Sequence, residues 1–87
     1  MPKLTLFVLE FCPYCIKAQK YLKELQTEDP KYNAVEIDLI DERQNRVLAN
    51  RYDYYLVPTF YLGKIKLFEG IMTKEDVRKV LESALAS

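Results

Sequence analysis

Residues 4–15 read LTLFVLEFCPYC, a nearly unbroken apolar run that ends in Cys12 and Cys15, separated by Pro13 and Tyr14. Residues 4–9 have the length of one strand, and their scarcity of polar side chains is the pattern of a central strand covered on both faces. Pro13 lacks an N–H and has φ fixed near the helical value, so it suits the first position of a helix. Behind it Ala18, Tyr21, Leu22 and Leu25 recur at helical spacing. A strand therefore passes into a helix with the two cysteines at the junction. The helix should end before Asp29 and Pro30, because proline disfavours a helical residue ahead of it.

Outward from that unit, Val35, Ile37 and Leu39 alternate with Glu36 and Asp38, which predicts a half-covered second strand. Strand, helix and strand in this order imply parallel pairing with a right-handed crossover. The charged residues 41–51 carry Val47, Leu48 and Tyr52 as a thin apolar stripe, which predicts a short second helix with its charges on a solvated face. Residues 59–62 and 65–68 read as a hairpin closed by Gly63 and Lys64, glycine at the first central position suiting a type II′ turn. Thr73 with Asp76 three residues on forms a capping box, and Val77, Val80, Leu81, Ala84 and Leu85 follow one helical face. The order is β-α-β-α-β-β-α. It predicts an α/β fold with a four-stranded mixed sheet flanked by three helices, as a single domain over residues 1–87, since a chain of 87 residues cannot fill two cores. The seven tyrosines, Tyr52, Tyr54 and Tyr55 among them, are expected to be half-buried with their hydroxyls in water.

Thirteen basic and thirteen acidic residues cancel, so charge offers no footprint for nucleic acid or for an anionic membrane surface. The absence of histidine removes Ser/His/Asp and Cys/His catalysis and the imidazole metal sites. No apolar run approaches the roughly 20 residues of a membrane span. The expectation is a cytoplasmic monomer, and in a reducing compartment two close cysteines point to redox or metal chemistry before a structural crosslink.

Thiol-disulfide exchange needs a thiolate, which an ordinary cysteine of pKa about 8.5 supplies only sparingly at neutral pH. With Pro13 opening the helix, Cys12 falls at or beside its N-cap, where free N–H groups and the positive end of the helix dipole favour an anion. Cys15 lies one turn on, on the same face and near enough to close a disulfide. Cys12 is thus the candidate nucleophile and Cys15 the thiol that releases product. No organic cofactor is implied, and a resident metal site lacks ligands, since two cysteines supply half of a four-ligand set. An iron–sulfur or metal carrier would require two copies of the chain, and this is the alternative reading from another class.

Phe11, Cys12, Pro13, Tyr14 and Cys15 after an apolar strand resemble the active site of a dithiol glutaredoxin, and Val57 and Pro58 directly before a strand match the second half of that site. The resemblance covers nearly the whole chain and implies a thioredoxin-like fold. It implies a cis bond at Pro58 facing the cysteines, with Pro13, Tyr14, Val57 and Pro58 lining a substrate groove. It further implies reduction of protein or low-molecular-weight disulfides, with glutathione as co-substrate. At the glutathione positions the chain departs from the family. Leu9 and then Glu10 stand where a basic residue is usual, and Gly70 alone, after Glu69, represents a Gly-Gly pair. The usual acidic pair is shifted to Glu75 and Asp76. Thr73 and the start of the last helix remain candidates to receive a carboxylate. The stretch from Val57 to Phe60 also resembles thioredoxins, which gives a second electron donor, a flavoprotein reductase of the thioredoxin-reductase type.

Overall fold

The crossover expected from the opening segment organises the molecule. In the computed structural model, which describes residues 2–87, β1 (Lys3–Val8) and β2 (Glu36–Asp41) pair in parallel, and α1 (Pro13–Glu28) connects them. Leu4 lies opposite Ile37 and Phe7 opposite Ile40. β3 (Thr59–Leu62) pairs antiparallel with β1, and β4 (Ile65–Glu69) pairs antiparallel with β3, giving the order β2-β1-β3-β4. β1 is central, which explains why its sequence shows no polar alternation: both of its faces are covered.

The two faces support different layers. Leu4, Leu6 and Val8 point into the larger core with Ala18, Leu22 and Leu25 of α1 and with Val77, Val80, Leu81 and Ala84 of α3 (Lys74–Leu85). Phe7 points to the opposite face and packs with Ile40, Ala49 and Tyr61. Its ring lies 4.7 Å from that of Tyr52 and 4.9 Å from that of Tyr54. Each fully buried Leu or Phe contributes about 1.5–3 kcal/mol, so the residues leading into the cysteines are also among the main supports of the fold.

The turn residues behave as their chemistry requires. Gly63 has φ of 61°, and Lys64 has no positive φ, as a type II′ turn demands. Thr73 Oγ1 accepts the N–H of Asp76 at 3.1 Å while Asp76 Oδ2 accepts the N–H of Thr73 at 2.9 Å, completing the capping box. Lys74 bridges to Glu24 at 3.3 Å and also to Glu28, fastening α3 to α1.

The structure differs from the sequence reading at several points. The second helix shrinks to α2 (Arg46–Ala49), and Val47, expected on its apolar stripe, is 75% exposed while Ala49 is buried instead. Asp41 explains the late start: its carboxylate accepts the N–H of Arg43 at 2.9 Å, holding a turn before the helix can begin. Leu39 is exposed because β2 is an edge strand. Pro30 does more than end α1: with Asp29 as N-cap it opens a short 3-10 helix, Pro30–Ala34, which buries Tyr32. Two tyrosine hydroxyls expected in water are bonded within the chain, Tyr54 to Glu42 and Tyr61 to the carbonyl of Asp53.

Candidate active site

Two segments build the site. At the first, β1 ends at Val8 and the chain turns through residues 9–11 so that the N–H of Cys12 bonds to the carbonyl of Leu9 at 3.2 Å. Phe11 takes φ of 67°, an unusual backbone for a bulky side chain, and its ring is 83% exposed. Cys12 then occupies the N-cap of α1 with extended backbone, φ of –77° and ψ of 117°, and Pro13 begins the helix. The carbonyl of Cys12 accepts the N–H of Ile16 at 3.0 Å, so the first helical bond closes directly over the pair of cysteines.

The two thiols differ sharply in environment. Cys15 is completely buried in the larger core, whereas Cys12 is half-buried at the rim of the same cluster. Burial alone would raise the Cys12 thiol. Hydrogen bonds from the Cys15 side chain and from the backbone of Cys15 and Tyr14 outweigh it and hold Cys12 below its ordinary pKa. Burial pushes the Cys15 thiol up to about 12, and the charges of Cys12 and Glu42 act in the same sense, against a hydrogen bond from the backbone of Leu9. The arrangement favours the thiolate at the more accessible sulfur and holds the other protonated one turn behind it.

The second segment is the loop entering β3. The Val57–Pro58 peptide bond is cis, and Pro58 is buried. Cys12 and Val57 each pack against the larger core cluster, and Val57 also packs against the smaller one around Phe7. Tyr14, between the two cysteines, is 46% exposed. Gly70, at φ of 98°, donates its N–H to the carbonyl of Pro58 at 2.8 Å. Thr73 is placed differently from a carboxylate receptor: its hydroxyl and its N–H are both engaged by Asp76, and Glu75 and Asp76 make the first turn of α3 acidic.

The sequence reading passed over two further features. A cleft of about 640 Å³ opens beside Leu9, lined also by Glu42, Arg43, Arg46, Tyr52 and Tyr55. Among the described residues neither arginine has an ion-pair partner. The other is Glu69, whose carboxylate accepts the N–H groups of both Tyr55 and Leu56, the latter at 2.9 Å, while bridging to Lys66 at 2.7 Å. A charged residue closing an otherwise apolar strand end was the available signal for it. Among the described residues no helix is long and apolar enough to cross a membrane.

A four-stranded mixed sheet, a dithiol at the start of its first helix and a cis-proline at the entry to its third strand are the features of a thioredoxin-like protein. Comparison with known proteins agrees. The model of the glutaredoxin family matches residues 4–65. A thioredoxin from Methanocaldococcus jannaschii is 31% identical over 83 residues, 95% of each chain. An uncharacterized thioredoxin-like protein from Clostridium perfringens has a solved structure that superposes with a TM-score of 0.68 at 31% identity, over 97% of this chain and 71% of the other. The oxidised thioredoxin of Plasmodium falciparum superposes with a TM-score of 0.72 over 93% of this chain and 78% of its own, and at 15% identity it speaks for the fold alone. The chain belongs to the glutaredoxin family, within the thioredoxin-like thiol-disulfide oxidoreductases.

Proposed function

We propose that the chain reduces protein or low-molecular-weight disulfides through Cys12 and Cys15. The observation that carries this reading is the contrast between the two sulfurs: Cys12 accessible with a lowered pKa, Cys15 buried with a raised one. The Cys12 thiolate attacks one sulfur of the substrate disulfide, forming a mixed disulfide and releasing the other sulfur as a thiolate that takes a proton from water. Cys15 then attacks Cys12 Sγ, and its proton passes to the departing substrate sulfur. This forms the Cys12–Cys15 disulfide and frees the second substrate thiol. Two electrons leave the dithiol and reduce one disulfide to two thiols. Pro13, Tyr14 and Val57 form the walls of the groove in which the substrate sulfur is aligned, and Pro58, expected there from the sequence, is fully buried behind Val57 and supports the loop.

Glutathione is the proposed reductant of the resulting disulfide. The cleft beside Leu9 supports this role, since Arg43 and Arg46 can receive a carboxylate there in place of the missing basic residue. A second reading, recycling by a flavoprotein reductase, is favoured by the engaged and acidic start of α3, which offers a second carboxylate at Thr73 and Gly70 little welcome. The test of the chemistry is trapping. Cys15→Ser should accumulate mixed disulfides, whereas Cys12→Ser should not, and equal trapping would overturn the assignment. Turnover with glutathione plus glutathione reductase, set against turnover with thioredoxin reductase, decides the electron donor.

A further inference from the structure

We infer that Glu69 is a positioning residue for disulfide exchange: its carboxylate holds the main chain at Tyr55 and Leu56 so that the free main-chain groups of Val57 face an extended substrate. This rests on the exchange reaction proposed above. Glu69 ends β4, and one oxygen, Oε2, accepts two consecutive N–H groups from a loop 13 and 14 residues earlier, while Oε1 is held by Lys66. Gly70, the next residue, bonds the carbonyl of Pro58. The loop is therefore gripped on both sides of Val57. Among the described residues no hydrogen bond within the chain uses the N–H or carbonyl of Val57. A main-chain donor and acceptor left open beside a strand end are what an extended peptide pairs with. The side chains of Tyr55 and Leu56, 89% and 59% exposed, contribute little packing of their own to hold the loop. The carboxylate supplies that restraint.

The inference separates substrates by whether they carry a peptide backbone. Glu69→Ala should lower kcat/KM for a disulfide-linked peptide about tenfold, the effect of losing roughly one well-formed charge-assisted hydrogen bond's worth of alignment. It should leave reduction of bis(2-hydroxyethyl) disulfide, which has no peptide main chain, within about twofold. Glu69→Gln retains an oxygen that can accept both N–H groups and should recover most of the loss. Equal losses on the two substrates, no loss on the peptide, or failure of Gln to improve on Ala would each overturn the inference. Should Glu69→Ala not fold, the comparison of the two substrates with Glu69→Gln and Lys66→Met, both expected within about threefold of the parent, serves instead: a peptide-selective loss in Lys66→Met larger than in Glu69→Gln would assign the effect to the ion pair and refute the role given to the N–H bonds. If the unaltered protein reduces neither substrate, the exchange reading itself fails, which is a separate outcome.

Discussion

The N–H of Gly70 meets the carbonyl of Pro58 at 2.8 Å, tying the end of β4 to the loop that enters β3 through a cis-proline. Gly70 holds φ of 98°, where side chains are strained, and a Cβ built there would approach Leu56 Cδ1 at 3.2 Å. Gly70→Ala should therefore destabilise the fold by about 1–2 kcal/mol, mainly through backbone strain because Leu56 is exposed and can give way. A urea midpoint unchanged from the parent would refute the account.

Cys12 should react with iodoacetamide at lower pH than an ordinary thiol, since hydrogen bonds to its sulfur lower its pKa. Cys15 should remain unmodified at that pH because burial places it near 12. The sign of the linked stability follows. A group whose folded pKa is raised stabilises the native state below its unfolded value, so the Cys15 contribution is present below 9.0 and is lost as pH rises toward about 12. Mass spectrometry of the alkylated protein reads the order directly, and labelling of Cys15 first would contradict it.

Removing the capping box at the start of α3 should be measurable on its own. Thr73→Ala leaves the N–H of Asp76 without its hydroxyl partner and should lower stability by about 0.5–2 kcal/mol. Chemical denaturation checks the value. A change in disulfide reduction without a change in midpoint would instead place Thr73 in substrate binding.

Leu81 is fully buried against the sheet, and Leu81→Ala should cost about 2–5 kcal/mol, a large share of the stability of a domain this small. The thermal midpoint should drop accordingly. A shift comparable to that of a surface substitution would mean that the site collapses around the missing side chain.

Glu69 is held down to about 2 by Lys66 and by the N–H groups of Tyr55 and Leu56. A depressed carboxyl stabilises the native state above its unfolded value, so the contribution is present above about 4.5 and fades as pH falls toward 2. The stability gap between the parent and Glu69→Ala should narrow over that interval. A gap independent of pH would remove the charge from the account.

The order of elements and the place of the cysteines could be read directly, because both depend on local signals: β1 is apolar throughout, Pro13 can only begin a helix, and Thr73 with Asp76 caps one. The short α2 and the exposed Leu39 were not visible, since an edge position and a carboxylate turn at Asp41 are decided by neighbours in space. The same holds within the site. Cys12 and Cys15 are close in sequence and stand out, while Glu69 and the loop it grips are separated by 13 residues and by a hairpin. The Val57–Pro58 cis bond was legible only through family resemblance.

Phe11, Ile16, Tyr55, Leu56 and Ile71 are all exposed and belong to neither core cluster. Exchanges at such positions commonly alter stability by no more than about 0.5 kcal/mol. New recognition surfaces can therefore arise on this scaffold at little risk to folding, while the sulfurs sit at the head of a helix that follows directly on the buried central strand.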